Sequence, residues 1–215
     1  MLLAFNAALM GRANTQRRQH GGMVGVACLL SSLVTGSALA AETQTITFNI
    51  TVPAATCTVT PNDLFISAPI DGSTFVGQNW KTGGENDLTV ALSNCSGDGA
   101  SGKSPKLTIA PAGGTAVLAG SNNFLFRDSG STSQGFGVAI FNKSAANITK
   151  NATTDMVASS GVAWTGTSGA SGSSLNGKTI TLSAGIACGP TAYCTTTSLV
   201  PGILKASITF NLVYN

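Results

Sequence analysis

The chain has 215 residues, of which only 9% are charged, with 11 Lys+Arg against 8 Asp+Glu, one histidine and five cysteines. So sparse and balanced a charge gives binding to nucleic acid or to an anionic membrane no electrostatic basis. A composition rich in Gly, Ser, Thr, Ala and Val suits many short strands joined by turns and gives long helices little to work with.

The first 40 residues read as an export leader. Arg12, Arg17 and Arg18 form a positive head, Met23 to Val34 is an apolar run, and Ala38-Leu39-Ala40 places small residues where a signal peptidase cuts, so the mature chain is expected to begin at Ala41. The apolar run is too short to span a bilayer. Cys28 lies inside it, with Gly25 where a lipoprotein signal wants a Leu-like residue, which argues against a lipid anchor. Removing 40 residues leaves 175, enough for one domain with a real core. Three basic residues leave with the leader, so the mature part carries eight basic and eight acidic groups. His20, the sole histidine, leaves too. Cys57, Cys95, Cys188 and Cys194 remain, an even number that implies disulfides in an exported chain.

The mature chain opens on QTITFNITVP, residues 44–53. Ile46, Phe48, Ile50 and Val52 alternate with Thr45, Thr47, Asn49 and Thr51, which puts four large apolar side chains on one face of an extended strand. Pro53 ends the ladder because it has no N–H to donate. Strand continues over 58–60, Pro61-Asn62-Asp63 is a turn, and 64–67 is short and extended. Residues 68–84 read as a loop holding one short strand. DLTVALSN, residues 87–94, is a core strand, with Leu88, Val90 and Leu92 on one face. The loop 96–105 leads to a strand at 106–110. Residues 123–127 are short and apolar, and GFGVAIF, 135–141, is a stronger strand. Residues 142–160 are polar, 162–164 form an edge strand, 165–177 an exposed loop and 179–184 a strand. The last strand is the longest, from Ile203 to Asn215, with Leu204, Ala206, Ile208, Phe210, Leu212 and Tyr214 on one face. This spacing of strands and turns indicates an all-β sandwich.

A leader, an alternating strand ahead of a cysteine, a second cysteine after LTVALSN, a Gly-Phe-Gly-Val-Ala-Ile strand and an alternating last strand with tyrosine next to last occur here in one order. That order resembles the pilin subunits of fimbriae built by the chaperone–usher route, over the whole mature chain. The resemblance implies an immunoglobulin-like sandwich that lacks its final strand and is completed by a donor strand from a neighbouring subunit. It implies a leader at 1–40, a donor extension at 41–56 carrying Ile46, Phe48, Ile50 and Val52, and a pilin domain at 57–215. It further implies export through the periplasm to the cell surface, with other pilin subunits, a periplasmic chaperone and an outer-membrane usher as partners. Phe210, Leu212 and Tyr214 would lie on the strand that the chaperone pairs with. No cofactor is implied.

Four cysteines allow three pairings, and the family pattern together with loop size selects Cys57–Cys95 and Cys188–Cys194. The first would close a loop of about 38 residues, worth roughly 4 kcal/mol on the chain-entropy model, and the second a small loop worth about 2 kcal/mol. The chain departs from the family pattern in three places. Ile50 stands where glycine commonly follows the donor-strand aromatic by two residues, the segment before Phe48 is short, and Cys188 and Cys194 are outside the common pattern.

Two rival readings come from other classes. An adhesin would bind a host receptor or carbohydrate, with Trp80, Trp164 and the loop 142–177 as candidate surfaces. A self-contained secreted immunoglobulin-like domain would bury residues 44–52 in its own sheet. An enzyme is disfavoured: no histidine remains for a nucleophile–base pair, and Glu85 and Asp87, the one close acidic pair, sit in a turn. Without histidine, and with its cysteines oxidised, the mature chain is also a poor metal ligand, so no metal site is expected.

Overall fold

The computed structural model describes residues 55–66 and 68–215, all within one compact unit, Asn49–Asn215. The leader, Cys28 and the alternating stretch with Ile46, Phe48, Ile50 and Val52 lie outside the described residues. The architecture is an all-β, immunoglobulin-like sandwich of two antiparallel sheets. Nine strands carry it: β1 (Thr56–Pro61), β2 (Thr82–Ser96), β3 (Pro105–Pro111), β4 (Thr115–Val117), β5 (Leu125–Asp128), β6 (Gly137–Phe141), β7 (Val162–Thr165), β8 (Thr179–Ala187) and β9 (Ile208–Tyr214). One sheet runs β1-β2-β8-β6-β5-β4 and the other β7-β3-β9.

Period-2 alternation builds the main core between the sheets. Leu88, Val90 and Leu92 from β2 meet Ile180, Leu182 and Ala184 from β8, and Leu107 and Ile109 close over them from β3. The outer face of the larger sheet is covered as well. Ala139, Phe141, Leu125 and Ala187 pack there with Trp80 and Met156. This second layer explains why β6 reads as a nearly continuous apolar run.

Three local expectations are corrected. Residues 68–84 hold a 3-10 turn, Gly72–Phe75, with strand only from Thr82, where β2 already begins; Asp71 caps the turn by accepting from the Ser73 N–H at 2.9 Å. Residues 165–177 are not wholly an exposed loop, since a short helix, α1 (Gly172–Leu175), buries Leu175 in the main core. The last strand starts at Ile208, not at Ile203. Residues 203–207 run beside 128–133, but hydroxyls replace the ladder partners. Thr132 Oγ1 accepts from the Ile203 N–H, Ser131 Oγ from that of Lys205 and Thr115 Oγ1 from that of Ser207. A backbone bonded to side chains in this way no longer propagates a regular sheet.

The polar loop 142–157 is fastened by one carboxylate. Asp155 is buried, receives the Lys143 ammonium at 2.8 Å and accepts the Thr149 N–H at 2.7 Å. The hydrogen bond from Lys143, then that from the Thr149 backbone, hold its carboxyl below the usual carboxylate range. A depressed acid contributes stability that is present above its unfolded value of about 3.9 and is lost as pH falls through the lower folded value. Asp155→Asn is therefore expected to cost about 1–2 kcal/mol at pH 7, the lower end being favoured because Lys143 is half exposed. Thermal melts of the two proteins should converge as pH falls through that lowered folded value. Equal melting temperatures at pH 7 would show that this carboxylate does not hold the loop.

Candidate functional site: an open apolar cleft

β9 is hydrogen-bonded to β3 along its whole length, from Ile208 opposite Pro111 to Tyr214 opposite Pro105. Among the described residues, no strand pairs with its other edge. β1 likewise pairs only with β2. A cleft of about 1030 Å³ opens beside β9, on the side where the chain leaves β1 at Pro61. One lip is formed by Pro61 to Ile66 and Ala68 to Ile70, the other by Pro201 to Ile208 and Phe210. The second lip alone offers roughly 25–30 Å of extended chain.

The floor comes from the larger sheet. Leu88 of β2, Val138 and Ile140 of β6, and Ala184 and Ile186 of β8 all face the cleft, with Phe136 and Ser133 toward one end. Ile208 and Phe210 point inward yet stay half-buried, while Thr209 between them is exposed. Such half-burial of alternating apolar residues marks a core surface that lacks its covering layer. The lips carry exposed apolar groups as well, Phe65 at 87% and Ile203 at 62% of full exposure. On the first lip Ile66 and Ile70 lie over β2, where Gly84 takes a positive φ of 63° and a Cβ would collide with the Ile70 side chain. The glycine lets that lip settle close to the sheet.

Two disulfides flank this arrangement. Cys57 near the start of β1 is bonded to Cys95 near the end of β2. Cys188 is bonded to Cys194, and both are buried among Phe75, Phe136 and Leu199. Ile70, Ile186 and Leu204 pack on that cluster and also line the cleft, so the second disulfide sits behind the cleft's end. Of the residues expected to meet a chaperone, Phe210 lines the cleft, whereas Leu212 and Tyr214 pack on the main core beyond it. The Tyr214 hydroxyl is buried without a hydrogen-bond partner, and burial pushes its pKa up.

Polar chemistry is weak here. Among the described residues no group of three or more His, Cys, Asp or Glu could hold a metal ion. Burial pushes the Glu85 carboxyl up, but the Thr82 hydroxyl, a backbone N–H and Lys150 outweigh that and hold it below the usual range. Asp87 accepts the Ala145 N–H at 2.7 Å. Both carboxylates are engaged in holding loops. The surface suggested for an adhesin is also divided. Trp80 is buried, edge-on to Phe124 at 5.8 Å, while Trp164 lines a separate shallow cleft with Lys178 over its ring at 5.4 Å.

Sequence reasoning found the β9 side of the cleft and the strands that floor it, Leu88 among them, and missed the opposite lip. Ile66 and Ile70 carry no periodic signal that marks them as one surface, and their place becomes legible only once the sheet order is known.

No family model and no curated protein matches the chain. Among solved structures, the crystal structure of the P pilus rod subunit PapA aligns with a TM-score of 0.40 at 18% identity, covering 80% of this chain and 100% of that one.

Non-reducing peptide mapping of the purified protein is expected to yield one peptide pair joined through Cys57 and Cys95 and another through Cys188 and Cys194. A Cys57–Cys194 peptide would contradict this arrangement.

Proposed function

We propose that this chain is a structural, non-catalytic subunit of a surface fimbria that polymerises by donor-strand exchange. The observation that carries the reading is the open cleft beside β9, whose outer edge is unpaired among the described residues and lies above an apolar floor. An extended segment with one apolar face satisfies both features at once, through main-chain hydrogen bonds and alternate side chains in pockets. The mature sequence supplies such a segment in Ile46, Phe48, Ile50 and Val52.

On this reading residues 1–40 are the leader, 41–56 the donor extension and 57–215 the acceptor domain. A periplasmic chaperone would first occupy the cleft, pairing with the strand that carries Phe210, Leu212 and Tyr214. An outer-membrane usher would then admit the subunit to the growing fibre at the cell surface.

Charge placed on the donor face must lose its water or keep the strand out. Phe48→Asp and Ile50→Asp are therefore expected to abolish SDS-resistant multimers while leaving the monomer folded. Thr47→Asp and Asn49→Asp should polymerise nearly as the parent does, because their side chains point away from the floor. Unfolding of the Phe48→Asp and Ile50→Asp monomers would instead assign the strand to its own domain.

A further inference from the structure

We propose that the shallow cleft at Trp164 binds an acidic sugar, a pyranose ring that carries a carboxylate. The proposal does not depend on donor-strand exchange. This cleft, of about 640 Å³, opens where β7 ends, and its walls combine an aromatic ring, a row of hydroxyls and a cation. It shares no lining residue with the apolar cleft beside β9. β7 and β9 are opposite edges of the smaller sheet, with β3 between them. Main-chain bonds hold the walls. The Gly166 N–H donates to the Pro105 carbonyl at 2.7 Å, that of Gly169 to the Lys103 carbonyl at 2.7 Å and that of Gly172 to the Gly97 carbonyl at 2.9 Å. On the other side the Lys178 carbonyl accepts the Leu92 N–H at 2.8 Å, which fixes that backbone against β2. Trp164 is paired with Leu107, and its ring lies on Gly166, where a Cβ would come within 2.5 Å of the indole. A site with walls fixed in this way is formed before its ligand arrives.

The chemistry of the walls selects the ligand. Trp164 is half-buried, so part of a flat apolar surface stays open to the cleft. An aromatic face is electron-rich and attracts groups of positive polarity. A pyranose presents a flat patch of C–H groups on one side and hydroxyls around its rim. Thr165, Thr167, Ser168, Ser171 and Ser174 stand around the indole, and each hydroxyl both donates and accepts. Among the lining residues Lys178 is the one charged side chain, and no carboxylate opposes it. Its ammonium rests 5.4 Å from the centroid of the Trp164 ring. A neutral sugar stacking there would displace that cation and give it no new partner. A sugar with a carboxylate supplies the partner, because the exposed, flexible lysine stem can swing from the ring to the acid group and form a charge-assisted hydrogen bond. A small anion without a ring would meet only a solvated ammonium, a contact worth little in water.

The test uses the full mature chain, residues 41–215, with four probes: methyl glucuronide and the methyl glycoside of N-acetylneuraminic acid as acidic sugars, methyl glucoside as the neutral ring, and acetate as the bare carboxylate. Saturation-transfer NMR reports contact with each probe, and tryptophan fluorescence follows its titration. At least one acidic sugar should bind in the millimolar range, methyl glucoside more weakly by roughly tenfold, and acetate should neither bind nor compete at the same concentration. Lys178→Met should erase the preference for the acidic sugar, and Lys178→Arg should keep it. Because Lys178 is exposed, both variants should melt as the parent does. Trp164→Leu should abolish saturation transfer to every sugar, and if that variant does not fold, the Lys178 pair decides alone. The proposal is wrong if neither acidic sugar binds, if methyl glucoside binds as tightly as they do, or if the preference survives in Lys178→Met. Competition by acetate as strong as that of the sugars would also overturn it, by reducing the site to an exposed ammonium.

Discussion

The structure turns on one requirement, that of the edge of β9 that no strand pairs among the described residues, above an apolar floor. A strand edge presents N–H and C=O groups that need partners, and an apolar face needs cover. A helix could supply cover, but its backbone groups are bonded internally and its side chains repeat every 3.6 residues. Only an extended segment brings free backbone groups and a period of two together. The kind of occupant therefore follows from the edge itself. Burying four large apolar side chains would contribute about 6–12 kcal/mol gross, at roughly 1.5–3 each. That is comparable with the whole stability of an ordinary domain, about 5–15 kcal/mol.

The remaining sheet edges show that this opening differs from its surroundings. The larger sheet ends in β4, three residues long, and the smaller in β7, four residues long. Such short strands are a common way of blunting an edge against unwanted pairing. The other two edges are longer, six residues in β1 and seven in β9. Of these, β9 lines the cleft with Ile208 and Phe210, and β1 reaches it only at Pro61. The disulfides act around the same opening. One ties the start of β1 to the end of β2, and the other anchors the cluster behind Phe136 and Leu204.

Much of the sandwich was legible in the sequence because strands at 87–94, 106–110, 137–141 and 179–184 bury alternating or β-branched residues, and burial imposes their period. The lower half of the last strand was not. Ile203 to Ser207 alternates as well as Ile208 to Tyr214 does, but Thr115, Ser131 and Thr132 capture its N–H groups from distant parts of the chain. Trp80 and Leu175 are single apolar residues in polar loops, and their burial depends on the sheet face they happen to meet. For the cleft, β9 announced its own apolar stripe.

Donor-strand exchange would also make the geometry directional. Donor segment and acceptor cleft are different surfaces of one chain, so their contact is heterologous and propagates head to tail. Such contacts close into rings only if the rotation between successive copies allows it. On that reading stability would be a property of the neighbour as much as of the chain, because whatever binds the folded state alone shifts its unfolding equilibrium by mass action. A subunit of this design would be secure in the fibre and marginal outside it, and that difference would drive assembly without any bond being made or broken.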